Sequence, residues 1–396
     1  MLRTLCLVVL LALSASMAAA DIRDTVRGLA PNGLVHVVDD AGSVLVSQNA
    51  DRPFVPASVT KIATAWLAME VLGGDYRFET RFYIDGNRVL YVRGGGDPYL
   101  VSEELAVIAQ RLVDKAGQRP FSAIVLDTSH FPSGLSIPGV GRSKDPYNAL
   151  NSALAANFNS IHAVRNGNAV RSAEDQTPIT PLAIRQFRQR GPNGRGRISL
   201  AQQDPALSAR YAGELIAAFI QRSGGEIRGD IGFGRVPTGL TPLYVHRQSR
   251  PVTEIIRGMM IHSNNYIANQ IFLQVGAHIA GSPVSLQKSQ AVMGDLLRAH
   301  GLTSAITMVE GSGISRQNRM TARGLAQLLT RFAPHANLME SSRRGSRYKT
   351  GTLSDVSTLA GYAQTQKHGL VRFVIALPGG TGRLRLAILE AIEKGL

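Results

Sequence analysis

The chain has almost no cysteine, which excludes several kinds of chemistry. Its 396 residues include one cysteine, Cys6, inside an apolar run at residues 5–13. This run follows Arg3 and precedes three alanines at residues 18–20, an arrangement typical of a secretory signal peptide over residues 1–20. We therefore expect a processed protein without cysteine. Such a protein holds no disulfide, no thiolate nucleophile and no zinc–thiolate site.

Long apolar runs and metal-binding spacings are also missing. The run at residues 5–13 is too short to cross a bilayer, so a retained anchor fits less well than export to the periplasm. We expect at most peripheral contact with a membrane. The nine histidines include no HExxH motif and no pair at the spacing of helical metal ligands. Residues 94–97 (Gly-Gly-Gly-Asp) lack the GxGxxG spacing and indicate a turn. We predict no metal and no other cofactor.

Acidic residues are too few to balance the basic ones. Lysine and arginine number 43 against 28 aspartates and glutamates, a formal net charge of +15. In an exported protein this charge favours attraction to an anionic matrix of lipid headgroups and wall polymer. Five arginines at residues 185–197 lie among glycines and a proline, without the interleaved aromatic run of a single-strand binder. We predict a solvated basic loop there and no nucleic-acid partner.

The sequence does contain three short motifs in a fixed order. Residues 58–61 are Ser-Val-Thr-Lys, residues 263–265 are Ser-Asn-Asn, and residues 349–352 are Lys-Thr-Gly-Thr. These match the SxxK, SxN and KTG motifs of serine acyl-transfer enzymes that open D-Ala-D-Ala peptides or β-lactams. Other SxxK and SxN copies occur, but only the series that begins at Ser58 is complete. The order therefore favours a site over three chance matches.

The first motif supplies a nucleophile and a base. Ser58 and Lys61 are three residues apart on a predicted apolar helix at residues 58–72, so their side chains share one face. A serine hydroxyl needs a base within hydrogen-bond reach. Lysine can serve where burial and a neighbouring cation, here Lys349, lower its pKa. A lone SxxK would leave a capping serine and a surface lysine as the alternative.

The second motif is predicted to lie on a loop between helices at residues 251–260 and 265–275. There Ser263 can pass a proton to the leaving amine, and the amide of Asn265 can hold the peptide group of a substrate. On its own, Ser-Asn-Asn is ordinary turn material. His262 suggests a serine–histidine pair, but Lys61 already supplies the base.

The third motif is predicted to lie on a strand. We expect the Lys349 ammonium and the hydroxyls of Thr350 and Thr352 to face a substrate carboxylate together. Gly351 between the threonines would let a substrate backbone approach closely, as an added edge strand. Without the other two motifs, this segment would indicate only a strand with one charged residue.

The two ends of the chain predict one α/β (α+β) domain. Strands are predicted at residues 33–38, 43–47, 348–353, 357–365 and 370–377, and a closing helix at residues 382–393. We expect both ends to share an antiparallel sheet flanked by helices. The predicted catalytic domain comprises residues 21–82 and 246–396, and residues 83–245 form one or more mixed inserted domains.

At this point the chain resembles the D-alanyl-D-alanine carboxypeptidase/endopeptidase family, also called the class C low-molecular-mass penicillin-binding proteins. The large insertion between the first two motifs carries the resemblance. So do family-like stretches at residues 56–61 (Pro-Ala-Ser-Val-Thr-Lys), 96–100 (Gly-Asp-Pro-Tyr-Leu), 127–131 (Asp-Thr-Ser-His-Phe) and 311–316 (Gly-Ser-Gly-Ile-Ser-Arg). The resemblance implies a penicilloyl-serine transferase fold of the β-lactamase and transpeptidase type, with inserted domains.

The same resemblance implies a role for each site residue. Ser58 would form the acyl ester, Lys61 would accept its proton and Ser263 would relay it, with an oxyanion hole from the backbone N–H groups of Ser58 and Thr352. Asp127 would face a diamino-acid side chain. The implied activity is D-Ala-D-Ala carboxypeptidase on peptidoglycan stem peptides, with β-lactams as inhibitors.

Several points stay open at this stage. Endopeptidase activity on cross-links is one extension of the implied function. A serine β-lactamase and a catalytically silent wall-binding protein are the alternatives. The sequence also departs from the family at Glu310, where aspartate commonly precedes Gly-Ser-Gly.

Overall fold

The computed structural model describes residues 21–117, 119–200, 204, 206–342, 344–379 and 382–396. The predicted signal peptide at residues 1–20 lies outside these residues. The strands are β1 (Leu34–Asp39), β2 (Val44–Gln48), β3 (Glu79–Ile84), β4 (Val89–Arg93), β5 (Ala123–Asp127), β6 (Ser160–Asn166), β7 (Ala169–Ser172), β8 (Gly194–Ser199), β9 (Ile231–Phe233), β10 (Tyr244–Arg247), β11 (Ile306–Thr307), β12 (Arg319–Met320), β13 (Glu340–Ser341), β14 (Arg347–Leu353), β15 (Val356–Thr365) and β16 (Gly369–Pro378). The helices are α1 (Ile22–Leu29), α2 (Thr60–Val71), α3 (Ser102–Ala116), α4 (Pro181–Arg190), α5 (Ala206–Arg222), α6 (Val252–His262), α7 (Asn265–Ala280), α8 (Leu286–Ala299), α9 (Ala322–Phe332) and α10 (Gly382–Gly395).

The described chain divides into two compact units. The first contains the residues up to Val59 together with Arg319–Leu396, and the second contains Thr60–Asn318. The predicted domain boundaries after residues 82 and 245 fall elsewhere in the sequence and stay a prediction.

The first unit is built on a six-stranded antiparallel sheet in the order β13-β14-β15-β16-β1-β2. The two ends of the chain meet where β1 pairs with β16, which places Val37 opposite Phe373. Helices α1 and α10 share an apolar core with one face of the sheet. Helix α9 lies on the other face, where the hydroxyl of Tyr362 donates to the carbonyl of Leu329 at 2.6 Å. This confirms the prediction of one antiparallel sheet flanked by helices.

The second unit contains a five-stranded mixed sheet in the order β10-β3-β4-β5-β9. Strands β10, β3 and β4 pair antiparallel, whereas β4, β5 and β9 pair parallel. A smaller antiparallel sheet has the order β7-β6-β8. Helices α3 and α5 bury their apolar faces in a core that both sheets share through side chains such as Phe82 of β3 and Ile161 of β6. The mixed inserted structure is as predicted.

Residues 185–197 correct one prediction about the loops. The expected basic loop is instead the last part of α4 and the first part of β8, so only residues 191–193 join two regular elements. Phe187 is fully buried and anchors the helix to the core. The many arginines around it led to the prediction of a loop. The side chains of Arg185, Arg188 and Arg195 remain exposed, as the charge of the segment requires.

The first two motifs lie at helix ends. Ala57–Val59 forms a 3₁₀ turn, so α2 begins at Thr60 and not at Ser58 as predicted. Thr60 to Ala68 of α2 are all buried, as an apolar sequence on every face predicts. Ser263 follows the last residue of α6 and Asn265 is the first residue of α7, so the predicted break is confirmed.

Within the described ranges, no helix combines the length and apolarity needed to cross a membrane.

The close pairing of β14 with β15 generates a stability prediction. A Cβ at Gly361 would lie 2.0 Å from the carbonyl oxygen of Arg347 and 2.7 Å from the Cα of Tyr348, both backbone atoms that cannot move alone. We expect Gly361→Ala to lower the free energy of unfolding by about 1 to 3 kcal/mol. Urea unfolding measures this change.

The matched control is Gly28→Ala on α1, in the same unit, where a Cβ meets nothing within 4 Å. Alanine is the better helix former, so this variant is expected to gain about 0.5 to 1 kcal/mol. Equal changes in the two variants would contradict the packing argument.

Candidate active site

Lys61 occupies an unusual environment in the interior of the second unit. Its side chain is fully buried on α2. Its Nζ donates to Asn265 Oδ1 and to the carbonyl oxygen of Ser312, each at 2.7 Å. A lysine amine has donors arranged tetrahedrally about one nitrogen. Two fixed acceptors therefore also fix the direction of the third donor.

The turn of the second motif positions Asn265 against Lys61. Asn265 directs Oδ1 to Lys61, and its Nδ2 donates to the carbonyl of Tyr147 at 3.2 Å. The side chain of Asn264 caps α7 by accepting from the N–H of Ile267. Ser263 has a φ of 52°, a left-handed conformation that is uncommon for a residue other than glycine. The structure thus brings the Lys61 and Asn265 side chains together, as the sequence predicts.

Ser312 belongs to a loop that is organised around the carboxylate of Glu310. Glu310 is fully buried. Its Oε2 accepts from the N–H and hydroxyl of Ser312, at 2.7 and 2.6 Å. Its Oε1 accepts from the N–H groups of Gly313 and Ser315 and from the side chain of Asn318. Five donors on one carboxylate fix the loop, and with it the carbonyl that accepts from Lys61. The sequence marked Glu310 only as a departure from the family and offered no signal for this role.

A pocket of about 570 Å³ opens beside the second motif within the same unit. Ser263 and Asn265 line one part of it. The other lining groups are aromatic and basic, and include Tyr99, Tyr147, Phe158 and Arg197. Sequence reasoning missed these four because none belongs to a motif that carries chemistry by itself. Apolar rings with a few polar groups are typical of a pocket for a small organic ligand.

In the first unit, Ser58 lies in a turn that packs against β14. A Cβ at Gly351 would lie 2.9 Å from the backbone nitrogen of Ser58 and 2.8 Å from the carbonyl of Pro56. The hydroxyl of Thr358 donates to that same carbonyl at 2.8 Å. Ala57, between Pro56 and Ser58, has a φ of 50°. Glycine is therefore needed at position 351 for the approach of the chain's own Ser58 turn, a reason that the sequence did not indicate.

The third motif divides between two faces of its strand. Thr352 faces α10, where its hydroxyl accepts from Arg385 at 3.0 Å. Gly351 faces the Ser58 turn on the opposite side. Because side chains alternate along a strand, Lys349 shares the face of Gly351, and Thr350 shares that of Thr352. The expected contact of the ammonium and both hydroxyls with one substrate carboxylate stays a prediction.

Lys349 is a buried cation. Its side chain is 3 % exposed, and its Nζ donates to the carbonyl of Thr350 at 3.0 Å. Desolvation lowers the pKa of Lys349 to about 8; Glu340 opposes this shift and Arg385 adds to it. Arg385 also donates to the carbonyl oxygens of Gly351 and Thr358. Arg385 is a second cation beside the third motif, and no motif in the sequence marked it.

The outer edge of β14 is only partly covered by its own sheet. β13 pairs with β14 at Arg347 and Tyr348 alone. Among the described residues, no strand of this sheet pairs with residues 349–353 on that side. An extended peptide can add to an edge of this kind through main-chain hydrogen bonds.

Asp127 lies apart from the other predicted site residues of its unit, at the end of β5. It is 3 % exposed, and its two carboxylate oxygens accept from the backbone N–H groups of Ser129 and Val236. Desolvation raises the pKa of Asp127, but hydrogen bonds from Ser129 and Val236 and the charge of Arg93 outweigh it and hold the pKa below its ordinary value. Asp127 does not line the pocket that contains Ser263. Its contact with substrate stays a prediction.

Within the ranges that the structure describes, no group of three or more His, Cys, Asp or Glu side chains is arranged to hold a metal ion. The three motifs themselves supply the hydroxyls of Ser58, Ser263, Thr350 and Thr352, the amines of Lys61 and Lys349, and the amide of Asn265.

Comparison with known sequences gives a family match. The sequence profile of the D-Ala-D-Ala carboxypeptidase 3 (S13) family matches residues 28–169 and 147–343. A D-alanyl-D-alanine carboxypeptidase from an Actinomadura species is 26 % identical, over 92 % of this chain and 80 % of its own length. The Haemophilus influenzae protein named D-alanyl-D-alanine carboxypeptidase DacB is 25 % identical, over 86 % of this chain and 84 % of its own.

Comparison with solved structures supports the fold. Penicillin binding protein 4 from Haemophilus influenzae is 22 % identical and superposes with a TM-score of 0.75, covering 93 % of this chain and 97 % of its own. A predatory peptidoglycan endopeptidase from Bdellovibrio bacteriovorus gives 0.54 at 16 % identity, covering 90 % of each chain. The transpeptidase-type fold with an inserted mixed sheet is therefore confirmed, as is the family predicted from the three motifs.

The burial of Lys349 predicts a specific pH dependence of stability. Its pKa is about 8 in the folded chain and 10.5 ordinarily, so between these values the unfolded chain binds more protons at this residue. Stability contributed by this position therefore rises with pH across that window. We expect wild type to gain up to about 3 kcal/mol relative to Lys349→Met between about pH 7 and pH 10.5. Urea unfolding of both proteins across this range measures the difference, and a constant difference would contradict it.

The Glu310 carboxylate predicts a second stability effect. In Glu310→Gln, one acceptor oxygen becomes an NH₂ group that opposes buried N–H donors. We expect the free energy of unfolding to fall by about 1 to 3 kcal/mol. Glu103→Gln, an exposed residue of the same unit whose partner is the side chain of Gln176, serves as the control and should change by less than about 0.5 kcal/mol. A Glu310→Gln variant as stable as this control would show that the loop does not depend on the carboxylate.

Proposed function

Because the chain belongs to the D-Ala-D-Ala carboxypeptidase 3 (S13) family, we propose that it is a serine-type D-Ala-D-Ala carboxypeptidase acting on peptidoglycan stem peptides. The observation that carries this proposal is the buried Lys61 amine, which Asn265 and Ser312 hold at 2.7 Å each. A lysine can act as a base where its surroundings favour the neutral amine, and burial is one such condition. A surface lysine in a chance SxxK match would have neither the burial nor the two fixed acceptors.

Acylation follows from the three motifs acting together. The Oγ of Ser58 attacks the carbonyl carbon of the penultimate D-alanine, and Lys61 takes the hydroxyl proton. The C–N bond to the terminal D-alanine breaks, and Ser263 passes a proton to the leaving amine. Water then hydrolyses the ester, which releases the shortened peptide and restores Ser58.

Stabilisation of the developing oxyanion is assigned to backbone donors. The N–H groups of Ser58 and Thr352 are the proposed oxyanion hole. The packing of the Ser58 turn against Gly351 supports this assignment because it fixes the nucleophile's backbone nitrogen beside β14. Preorganised donors of this kind need no rearrangement as charge develops.

Substrate contacts come from the third motif and from Asn265. Thr350 and Thr352 donate hydroxyl hydrogens to the terminal carboxylate. The Thr352 hydroxyl already accepts from Arg385, so its own hydrogen can be directed to a ligand. Lys349 acts from the opposite face of the strand, as a charge that attracts the carboxylate. Gly351 allows the peptide backbone to run along the edge of β14, and Asn265 holds its amide.

Two contacts extend this scheme. Asp127 is proposed to meet the diamino-acid side chain of the stem peptide, which would require a rearrangement of its hydrogen bonds to the backbone. β-Lactams are proposed as inhibitors that acylate Ser58. Penicillin binding protein 4 of Haemophilus influenzae has been solved with a β-lactam, which supports this extension.

Export and cross-link cleavage complete the proposal. The signal peptide at residues 1–20 would deliver the protein to the periplasm, where its substrate lies. Cleavage of D-Ala cross-links breaks the same type of bond, and the relative from Bdellovibrio bacteriovorus is named an endopeptidase. Endopeptidase activity is therefore a natural extension.

Release of D-alanine from a peptide ending in D-Ala-D-Ala tests the nucleophile. We expect Ser58→Ala to lower kcat by at least about a thousandfold, because no other hydroxyl has an amine base and both partner motifs. Ser285→Ala is the matched control: Ser285 opens another SxxK sequence but caps α8 through the N–H of Lys288. This control should retain activity. Undiminished release by Ser58→Ala would sink the assignment.

The identity of the base is tested by charge-conserving substitution. Arginine keeps a positive charge but does not give up its proton at neutral pH. We expect Lys61→Arg to slow acylation by at least about a hundredfold, close to the effect of Lys61→Ala. Stopped-flow acylation with a chromogenic penicillin gives both rates. A Lys61→Arg rate near that of wild type would show that Lys61 acts only as a charge.

A further inference from the structure

A second pocket, of about 560 Å³, lies in the second unit among residues that take no part in the proposed reaction. It shares no lining residue with the pocket that contains Ser263 and Asn265. Four arginines line it, at positions 77, 81, 93 and 247. Its acidic lining residues are Asp75 and Glu79.

The acidic side chains do not neutralise these arginines. Glu79 accepts from Arg81 at 2.9 Å through Oε2 and from Arg247 at 3.1 Å through Oε1, so one carboxylate serves two guanidinium groups. Arg77 donates to the backbone carbonyls of Gln248 and Ser249, and it pairs with no carboxylate among the residues that the structure describes. The four arginines against two acids leave the lining with a net charge of 4 − 2 = +2.

Arg93 is the guanidinium best placed to meet a ligand. It is exposed at the end of β4, and within the part of the chain that the structure describes it makes no hydrogen bond or ion pair. The charge of Arg93 also acts on Asp127 on the neighbouring strand, whose two carboxylate oxygens accept from the backbone N–H groups of Ser129 and Val236. The planar donors of an arginine suit the two oxygens of a carboxylate.

A chain of neutral hydrogen-bonding groups forms another wall of the pocket. Gln274 donates to the hydroxyl of Tyr76 at 2.8 Å, which turns its Oε1 towards His130 Nε2 at 3.0 Å. His130 Nδ1 meets the hydroxyl of Ser282 at 3.0 Å. Desolvation lowers the pKa of His130, which favours the neutral ring. The wall therefore offers hydroxyl and amide groups, which suit sugar hydroxyls and peptide groups.

We propose that this pocket binds a carboxylate-bearing peptidoglycan fragment, distinct from the D-Ala-D-Ala end that is cut. The positive lining and the exposed guanidinium of Arg93 recognise the carboxylate, and the Tyr76–Ser282 wall meets the neutral groups of the fragment. The naming of the polymer rests on the proposed function, whereas the preference for a carboxylate rests on the pocket alone. The pocket volume lies within the range typical of small-ligand sites.

The test is calorimetric titration of the full chain with disaccharide–tripeptide wall fragments, which contain no D-Ala–D-Ala bond. We expect wild type to bind them and Arg93→Gln to bind about tenfold more weakly. Arg111→Gln, the same change at an exposed residue of α3 outside the pocket, is the matched control and should bind as wild type does. Fragments whose carboxylates are converted to amides should bind weakly and no longer distinguish wild type from Arg93→Gln.

Three results would overturn the proposal: equal affinity of wild type and Arg93→Gln, an equal loss in Arg111→Gln, or displacement of the fragment by inorganic phosphate at matched concentration. D-alanine release by wild type is measured alongside. Normal release without Arg93-dependent binding rejects the pocket and keeps the proposed function. Arg93-dependent binding without any release of D-alanine keeps the pocket and rejects the proposed function.

Discussion

A lysine amine held in the interior of a protein requires acceptors, and much of the second unit supplies them for Lys61. Helix α2 buries the residue because it is apolar on every face. Helix α7 begins at Asn265, so its first side chain reaches the amine. The loop around Glu310 presents the carbonyl of Ser312. Three segments distant in sequence thus converge on one nitrogen, and displacing any of them would leave a buried donor without its partner.

The first unit meets a comparable constraint at its sheet. Gly351 is flanked by the Ser58 turn, so a side chain there would push the backbone of Ser58, the proposed nucleophile, away from β14. Lys349 lies on the same face of the strand and is desolvated enough to lower its pKa to about 8. A buried charge of this kind lowers stability below that pKa. Buried groups with strongly shifted pKa values are typical of functional sites.

The sequence predicted the elements that follow from periodicity and turns. The β1–β2 hairpin, the β14–β16 strands and their shared sheet were all expected, as were the three motifs and the family. The contact of Arg385 with the third motif joins segments more than 30 residues apart and left no local signal. The five donors on Glu310 lie within eight residues of it, but they depend on the path of the loop backbone and were also missed. The ammonium of Lys349 and the hydroxyls of Thr350 and Thr352 were expected to face one carboxylate. Strand alternation, which separates residues an odd number apart, places Lys349 on the other face of the strand. The segment at 185–197 was predicted as a loop because it is rich in arginine, glycine and proline. Its one buried residue, Phe187, anchors a helix to the core instead.

The most direct test of the account is the mass of the intact protein after exposure to penicillin, followed by peptide mapping. The account predicts one stable adduct of the mass of the antibiotic, on the peptide that contains Ser58. The account also predicts that this adduct hydrolyses slowly, and that the protein without penicillin releases D-alanine from a D-Ala-D-Ala peptide. The absence of any adduct, or an adduct on another serine, would contradict the central claim that Ser58 is the nucleophile served by Lys61.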